Sequence, residues 1–180
     1  MVSRKYVGDY RLENVTDRRG KLKTVPVYRG PLFRFTADEK TLKAAKGRCL
    51  ALTVLLTAAL LVTLVLHSEL LQRIYVVMPL VLSILPTALI WAGVYHLFTA
   101  GPALPRDKSD KIHNRFAGWS IVLLALSVLS LLGQAAAYFG GFPVAAGIPI
   151  TLSTAVMIAC AFRLFAGKKD LLTEEIPSED

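Results

Sequence analysis

Along the 180 residues, apolar and charged positions fall into long separate blocks instead of alternating at the period of a soluble amphipathic helix. Four segments contain no Asp, Glu, Lys or Arg: Cys49 to Leu66, Ile74 to Ala100, Phe116 to Phe139 and Pro143 to Phe162, of 18, 27, 24 and 20 residues. About 20 residues of helix cross a hydrocarbon core of roughly 30 Å, so each segment can span. A helix in a soluble bundle keeps a polar stripe for water, and these four are apolar nearly all round. The pattern predicts an all-α integral membrane protein. Its core is a four-transmembrane-helix bundle over residues 36-166, with spans about 46-66, 74-100, 116-139 and 143-165.

Ahead of the first span the period changes to two. In residues 1-35, KYVGDYRLENV reads as a strand, TDRRGK as a turn with Gly20, and LKTVPVY as a returning strand. Tyr6, Gly8, Tyr10 and Leu12 share one parity and Val25 and Val27 another, which suits a pleated β-hairpin. Pro26 places its strand at an edge. A lone hairpin is marginal in water, so it is expected to rest on a third strand at Leu32 to Phe35, on a partner chain or on the membrane surface. Thr36 and Glu39 form a T-x-x-E capping box, predicting a helix from Ala37 that runs unbroken into the first span.

Further along, Pro79, Pro86 and Gly93 recur every seven residues and predict kinks in the second span. Gly101, Pro102 and Pro105 open a loop reaching to Arg115, and Gly140, Gly141 and Pro143 make a tight turn. Connections this short predict that consecutive spans pack as antiparallel neighbours. The acidic tail, residues 167-180, is expected to be disordered.

Charge sets the expected orientation. Residues 1 to 48 hold 13 basic and 5 acidic groups, and Gly101 to Arg115 holds 4 and 2. The opposite side has Glu69 and Arg73, which cancel, and the uncharged Gly140 to Phe142. By the positive-inside bias the chain is N-in/C-in, with the hairpin cytoplasmic. No apolar run precedes the first span, which is therefore expected to direct its own insertion. Tyr95, Phe98, Phe116, Trp119, Phe162 and Phe165 are read as an inner aromatic belt, and Tyr75, Tyr138, Phe139 and Phe142 as an outer one. The localisation expected is a multi-pass protein of a bacterial cytoplasmic membrane.

Candidate chemistry is sparse. In the third span Ser120, Ser127, Gln134 and Gly141 recur every seven residues, joined on the same face by Ser130. The fourth offers Gly147, Thr151, Ala155 and Ala159, each four apart. Small and hydroxyl residues allow close helix contact and interhelical hydrogen bonds, so these are read as a packing seam or as the lining of a polar solute path. No Asp, Glu, Lys or Arg lies at mid-membrane depth to couple such a path to ions or protons. His67, His96 and His113 do not converge on a metal site. Cys49 and Cys160 are too far apart in sequence for a C-x-x-C redox motif. No cofactor is implied, and Ser120 with His96 lacks the acid a triad needs.

Arg18, Arg19, Lys21, Lys23 and Tyr28 on the ribbon, and Lys40, Lys43 and Lys46 on the first helix, are candidate contacts for anionic lipid or a partner. The ribbon matches no nucleic-acid reader module, so the partners expected are membrane lipids and a protein partner or a second copy of the chain. The sequence thus points to a non-enzymatic membrane accessory or assembly subunit whose basic ribbon docks on a membrane partner or anionic lipid. The alternative is a small oligomeric transporter or channel for a neutral or apolar solute.

Overall fold

A computed structural model describes residues 4–16, 22–66, 69–101 and 103–176. Five helices build the bundle: α1 (Glu39–Val65), α2 (Ile74–Leu82), α3 (Ile84–Phe98), α4 (Arg106–Phe139) and α5 (Val144–Ala166). α2 and α3 run in line as one rod, so four helical rods are long and apolar enough to cross a membrane. α1 packs on α3 and α5, and α4 packs on α2, α3 and α5. Consecutive rods are therefore neighbours, and the contact of α5 with α1 closes the ring.

The core is a column of aliphatic side chains, with Leu56, Leu80, Ile90, Leu97, Leu123 and Met157 fully buried. Leu55, Leu61, Leu85, Leu132, Leu152 and Phe162 point outward from all four rods. The rods thus carry large apolar side chains on the outside of the bundle as well as in its core.

The second rod breaks once, at Ser83. Pro79 and Pro86 each lack the N–H that would satisfy the carbonyl four residues earlier. Near the break the Ser83 hydroxyl donates to Pro79 O at 2.7 Å and the Thr87 hydroxyl donates to Ser83 O at 2.7 Å. The third expected weak point, Gly93, is no kink. It lies inside α3, where a Cβ would come within 3.1 Å of Arg115 Cβ and 3.4 Å of the Phe116 ring. Phe116 is accordingly buried beneath it and is not a belt residue.

α4 begins ten residues before the predicted third span and absorbs most of the expected loop. Its buried positions, Ser109, Ile112, Phe116, Ser120, Leu123, Ser127, Ser130, Gln134 and Ala137, follow one another at steps of three or four from end to end. The charged first turns are thus an amphipathic continuation of the same helix, with Lys111 bridging Asp107 at 3.1 Å.

At the end where α1 begins and α5 ends, three short strands among the described residues close the bundle. β3 (Leu32–Phe35) is central, paired antiparallel with β4 (Leu104–Pro105) on one side and β5 (Thr173–Glu175) on the other. This sheet welds the segment before α1 to those before α4 and after α5. Two expectations change here. β3 does not support the hairpin, and the tail is not disordered through its described part, residues 167–176. It forms a 3₁₀ turn (Gly167–Leu171) and β5, held by Arg34–Glu174 at 2.9 Å and by Ile176 N–H donating to Leu32 O at 2.8 Å.

The hairpin pairs β1 (Tyr10–Thr16) with β2 (Leu22–Tyr28), in a register from Tyr10↔Tyr28 to Thr16↔Leu22. Residues 5–9 of the expected first strand instead belong to a 3₁₀ helix (Arg4–Asp9). The N-cap of α1 is Asp38 rather than Thr36. Thr36 is occupied elsewhere, its N–H donating to Leu172 O at 3.0 Å. The Asp38 side chain makes no capping hydrogen bond to the helix backbone, and the Thr41 hydroxyl, three residues on, lowers its carboxyl below the usual carboxylate range.

Candidate functional site

Two regions carry the sequence candidates: the polar seam inside the bundle and the ribbon at the sheet end.

On the seam, Ser120, Ser127, Ser130 and Gln134 are all fully buried. Ser130 Oγ donates to Val76 O of α2 at 3.2 Å, and Gln134 Nε2 donates to Thr154 Oγ1 of α5 at 2.9 Å. α4 is therefore stitched to two neighbours from adjacent turns. Ser120 Oγ, Ser127 Oγ and Gln134 Oε1 have no hydrogen-bond partner among the described residues.

Between these two bonds sits Gly133, which sequence reasoning passed over. A Cβ there would come within 2.6 Å of Tyr75 O and 3.1 Å of Tyr75 C. Tyr75 O is the carbonyl that Pro79 leaves without its helical donor. α4 thus comes close to α2 where α2 has an open backbone acceptor, and only glycine permits it.

The fourth-span ladder is met only at its start. Gly147 is buried against the Tyr138 ring, and Thr151 Oγ1 lies 2.6 Å from Tyr138 Oη. Tyr138 therefore turns inward rather than forming an outer anchor. Ala155 and Ala159 face outward, and the buried set is Gly147, Ile150, Thr154, Met157, Cys160, Ala161 and Leu164. The reason is geometric: four residues advance a helix by about 400°, so a strict four-residue ladder drifts ~40° per step. After three steps it has left the face. Gly141 also lies off the seam, in the α4–α5 turn with φ 89°, a left-handed conformation suited to glycine.

At the sheet end, Tyr10 and Tyr28 meet edge-to-face with ring centroids 5.2 Å apart. Tyr28 Oη donates to Pro31 O at 2.7 Å and accepts from Arg106 N–H at 3.0 Å. The open end of the ribbon is therefore anchored on the start of α4. Arg29 N–H and Gly30 N–H both donate to Asp9 O, at 2.8 and 3.1 Å. A Cβ at Gly30 would come within 2.8 Å of Tyr28 Oη and closer still to Asp9. Burial raises the phenol pKa of both tyrosines, and the nearby charge of Asp107 adds to the effect on Tyr10.

Beyond this anchor the ribbon is open. Leu12 and Leu22 are 75% and 76% exposed. Thr24 Oγ1 donates to Asn14 Oδ1 at 2.9 Å across the strands. Neither outer edge has a strand partner among the described residues. Arg18, Arg19 and Lys21 lie outside the described residues, as does the side chain of Lys23. Lys40 and Lys43 are exposed on the first turns of α1. Lys46 is half-buried beside a cavity of about 370 Å³ shared with Arg34, Phe35, Leu42 and Ala100.

Of the histidines, His96 is half-buried on α3 and His113 is exposed on α4, while His67 lies outside the described residues. Among the described residues no three His, Cys, Asp or Glu side chains gather where they could share a metal ion. Cys49 and Cys160 are buried as free thiols. The chain matches no known family model, no curated protein and no solved structure.

Proposed function

We propose that the chain is a multi-pass protein of the cytoplasmic membrane with its sheet end in the cytoplasm, serving as a non-enzymatic accessory or assembly subunit. Its ribbon docks on a membrane-bound protein partner. Four rods of spanning length support the first part, and the concentration of Lys and Arg at the sheet end supports the orientation.

The observation that carries the docking reading is the ribbon's construction. Its base is fixed by the Tyr28 hydroxyl while Leu12, Leu22 and both strand edges are presented outward. Open edges with apolar side chains are costly to leave uncovered and are a recurring means of strand-addition binding. A rigid mount with an uncovered face suits recognition better than topology signalling, for which a disordered basic arm would suffice.

The test is co-purification from native membranes. The Leu12→Glu/Leu22→Glu protein, still inserted and monodisperse, should lose at least one protein that accompanies the unaltered chain. Unchanged companions would contradict docking through the ribbon. Retained vesicle association with lost protein partners would separate protein docking from anionic-lipid docking.

A second reading, passage of a small neutral solute along α4, draws on the unpartnered Ser120 Oγ, Ser127 Oγ and Gln134 Oε1. The complete burial of the same side chains favours packing over passage. Solute flux into proteoliposomes that falls on Ser127→Ala would reverse that preference.

A further inference from the structure

The uncharged stretch of α1 starts at Cys49 and that of α5 ends at Phe162, so the first charges at their sheet ends are Arg48 and Arg163. The fold brings these two residues to one cavity. A space of about 370 Å³ between α1 and α5 is lined by Arg48, Leu52, Arg163, Ala166, Gly167 and Asp170. Under the membrane-spanning reading, on which this inference rests, the cavity opens at the boundary between headgroups and hydrocarbon.

We propose that this cavity binds the phosphate of an anionic phospholipid. Arg48 already holds an oxyanion: its Nη1 donates to Asp170 Oδ2 at 3.1 Å. Arg163 has no acidic partner among the described residues, which leaves a second guanidinium for a phosphate oxygen. Guanidinium groups match phosphate geometry with paired N–H donors. Leu52, one turn deeper along α1, gives the cavity an apolar floor for the glycerol and first acyl carbons. Two arginines against one aspartate leave the lining with a net positive charge. Basic pockets between helices on the cytoplasmic side are a recurrent arrangement for anionic headgroups.

The test uses the full-length protein in a neutral detergent, with native mass spectrometry and thermal denaturation as readouts. Probes are phosphatidylglycerol, phosphatidylcholine with the same acyl chains, and inorganic phosphate. Phosphatidylglycerol should bind preferentially and raise Tm, while phosphatidylcholine and phosphate do neither. Arg48→Gln/Arg163→Gln should weaken phosphatidylglycerol binding about thirtyfold, the combined effect expected of two cations. Asp170→Asn should strengthen it several-fold by removing the competing carboxylate.

Arg73→Gln/Lys108→Gln makes the same charge change at exposed positions outside the cavity lining and should leave binding within about threefold. Arg163→Lys, which retains the charge, keeps the test informative if the double variant fails to fold, and should retain most of the binding. Equal binding of the two lipids, or an undiminished preference in the arginine variant, overturns the proposal. Phosphate that competes as well as the lipid also overturns it, by making the ligand a soluble anion. Extraction of the chain from membranes by alkaline carbonate would instead strike the membrane-spanning reading itself. The ribbon variant of the preceding section should leave this lipid preference intact.

Discussion

Replacing Gly133 by Ala probes the contact that positions α4 against α2. The added Cβ would lie 2.6 Å from Tyr75 O, a backbone atom that cannot rotate away. Ordinary van der Waals contact needs about 3.5 Å, so the rods must part by roughly 0.9 Å there. The hydrogen bond from Ser130 Oγ to Val76 O, already 3.2 Å, lengthens with them. Overpacking of this kind costs about 1 to 3 kcal/mol, partly offset by the gain of about 0.5 to 1 kcal/mol that Gly→Ala brings to a helix interior.

Gly118→Ala isolates that offset, because Gly118 lies in the same helix and a Cβ there meets nothing within 4 Å. Reversible unfolding in mixed micelles should place Gly133→Ala about 1 to 3 kcal/mol below Gly118→Ala. Equal stability of the two variants would refute a close approach of α4 to Tyr75.

Gln134→Leu and Thr154→Val, singly and together, should show a coupling of about 0.6 to 1.7 kcal/mol in the same unfolding assay, as interhelical side-chain bonds do. Tyr28→Phe removes two hydrogen bonds at the ribbon base and should loosen it by about 1 to 2 kcal/mol, seen as faster amide exchange at Arg106 with the bundle unchanged. The raised phenol pKa of Tyr10 and Tyr28 means that the folded ribbon favours the protonated form. Its contribution is complete below pH 10 and is lost as pH rises through the folded-state values. Difference spectrophotometric titration against Tyr28→Phe should therefore show an ionisation midpoint above that of free tyrosine. Deleting residues 173–180 leaves β3 with β4 alone and should speed amide exchange across Phe33 to Phe35.

Much of this architecture is legible in residue order because long uncharged runs and a period-two ribbon are local signals. The four rods and the pairing of LENVT with LKTVP follow from them. The sheet of β3, β4 and β5 does not, since two- to four-residue strands carry too little pattern to announce a contact between Arg34 and Glu174, 140 positions apart. The early start of α4 is masked by its Lys, Arg and Asp residues, which resemble a loop, although Ser109, Ile112 and Phe116 continue the spacing of the seam. On α5 a fixed step of four missed Thr154, where alternating three and four would have found it. Arg48 and Arg163 each look like an ordinary flank of a span, and only the contact of α1 with α5 makes them a pair.

The docking proposed for the ribbon can be tested in place. A photo-crosslinking amino acid at Leu12, activated in intact native membranes, tests it most directly, with the same probe at outward-facing Leu152 as the comparison. A docking ribbon should give a discrete protein adduct from Leu12 that Leu152 does not give. Irradiation that yields no protein adduct at Leu12, or the same products at both positions, would contradict it.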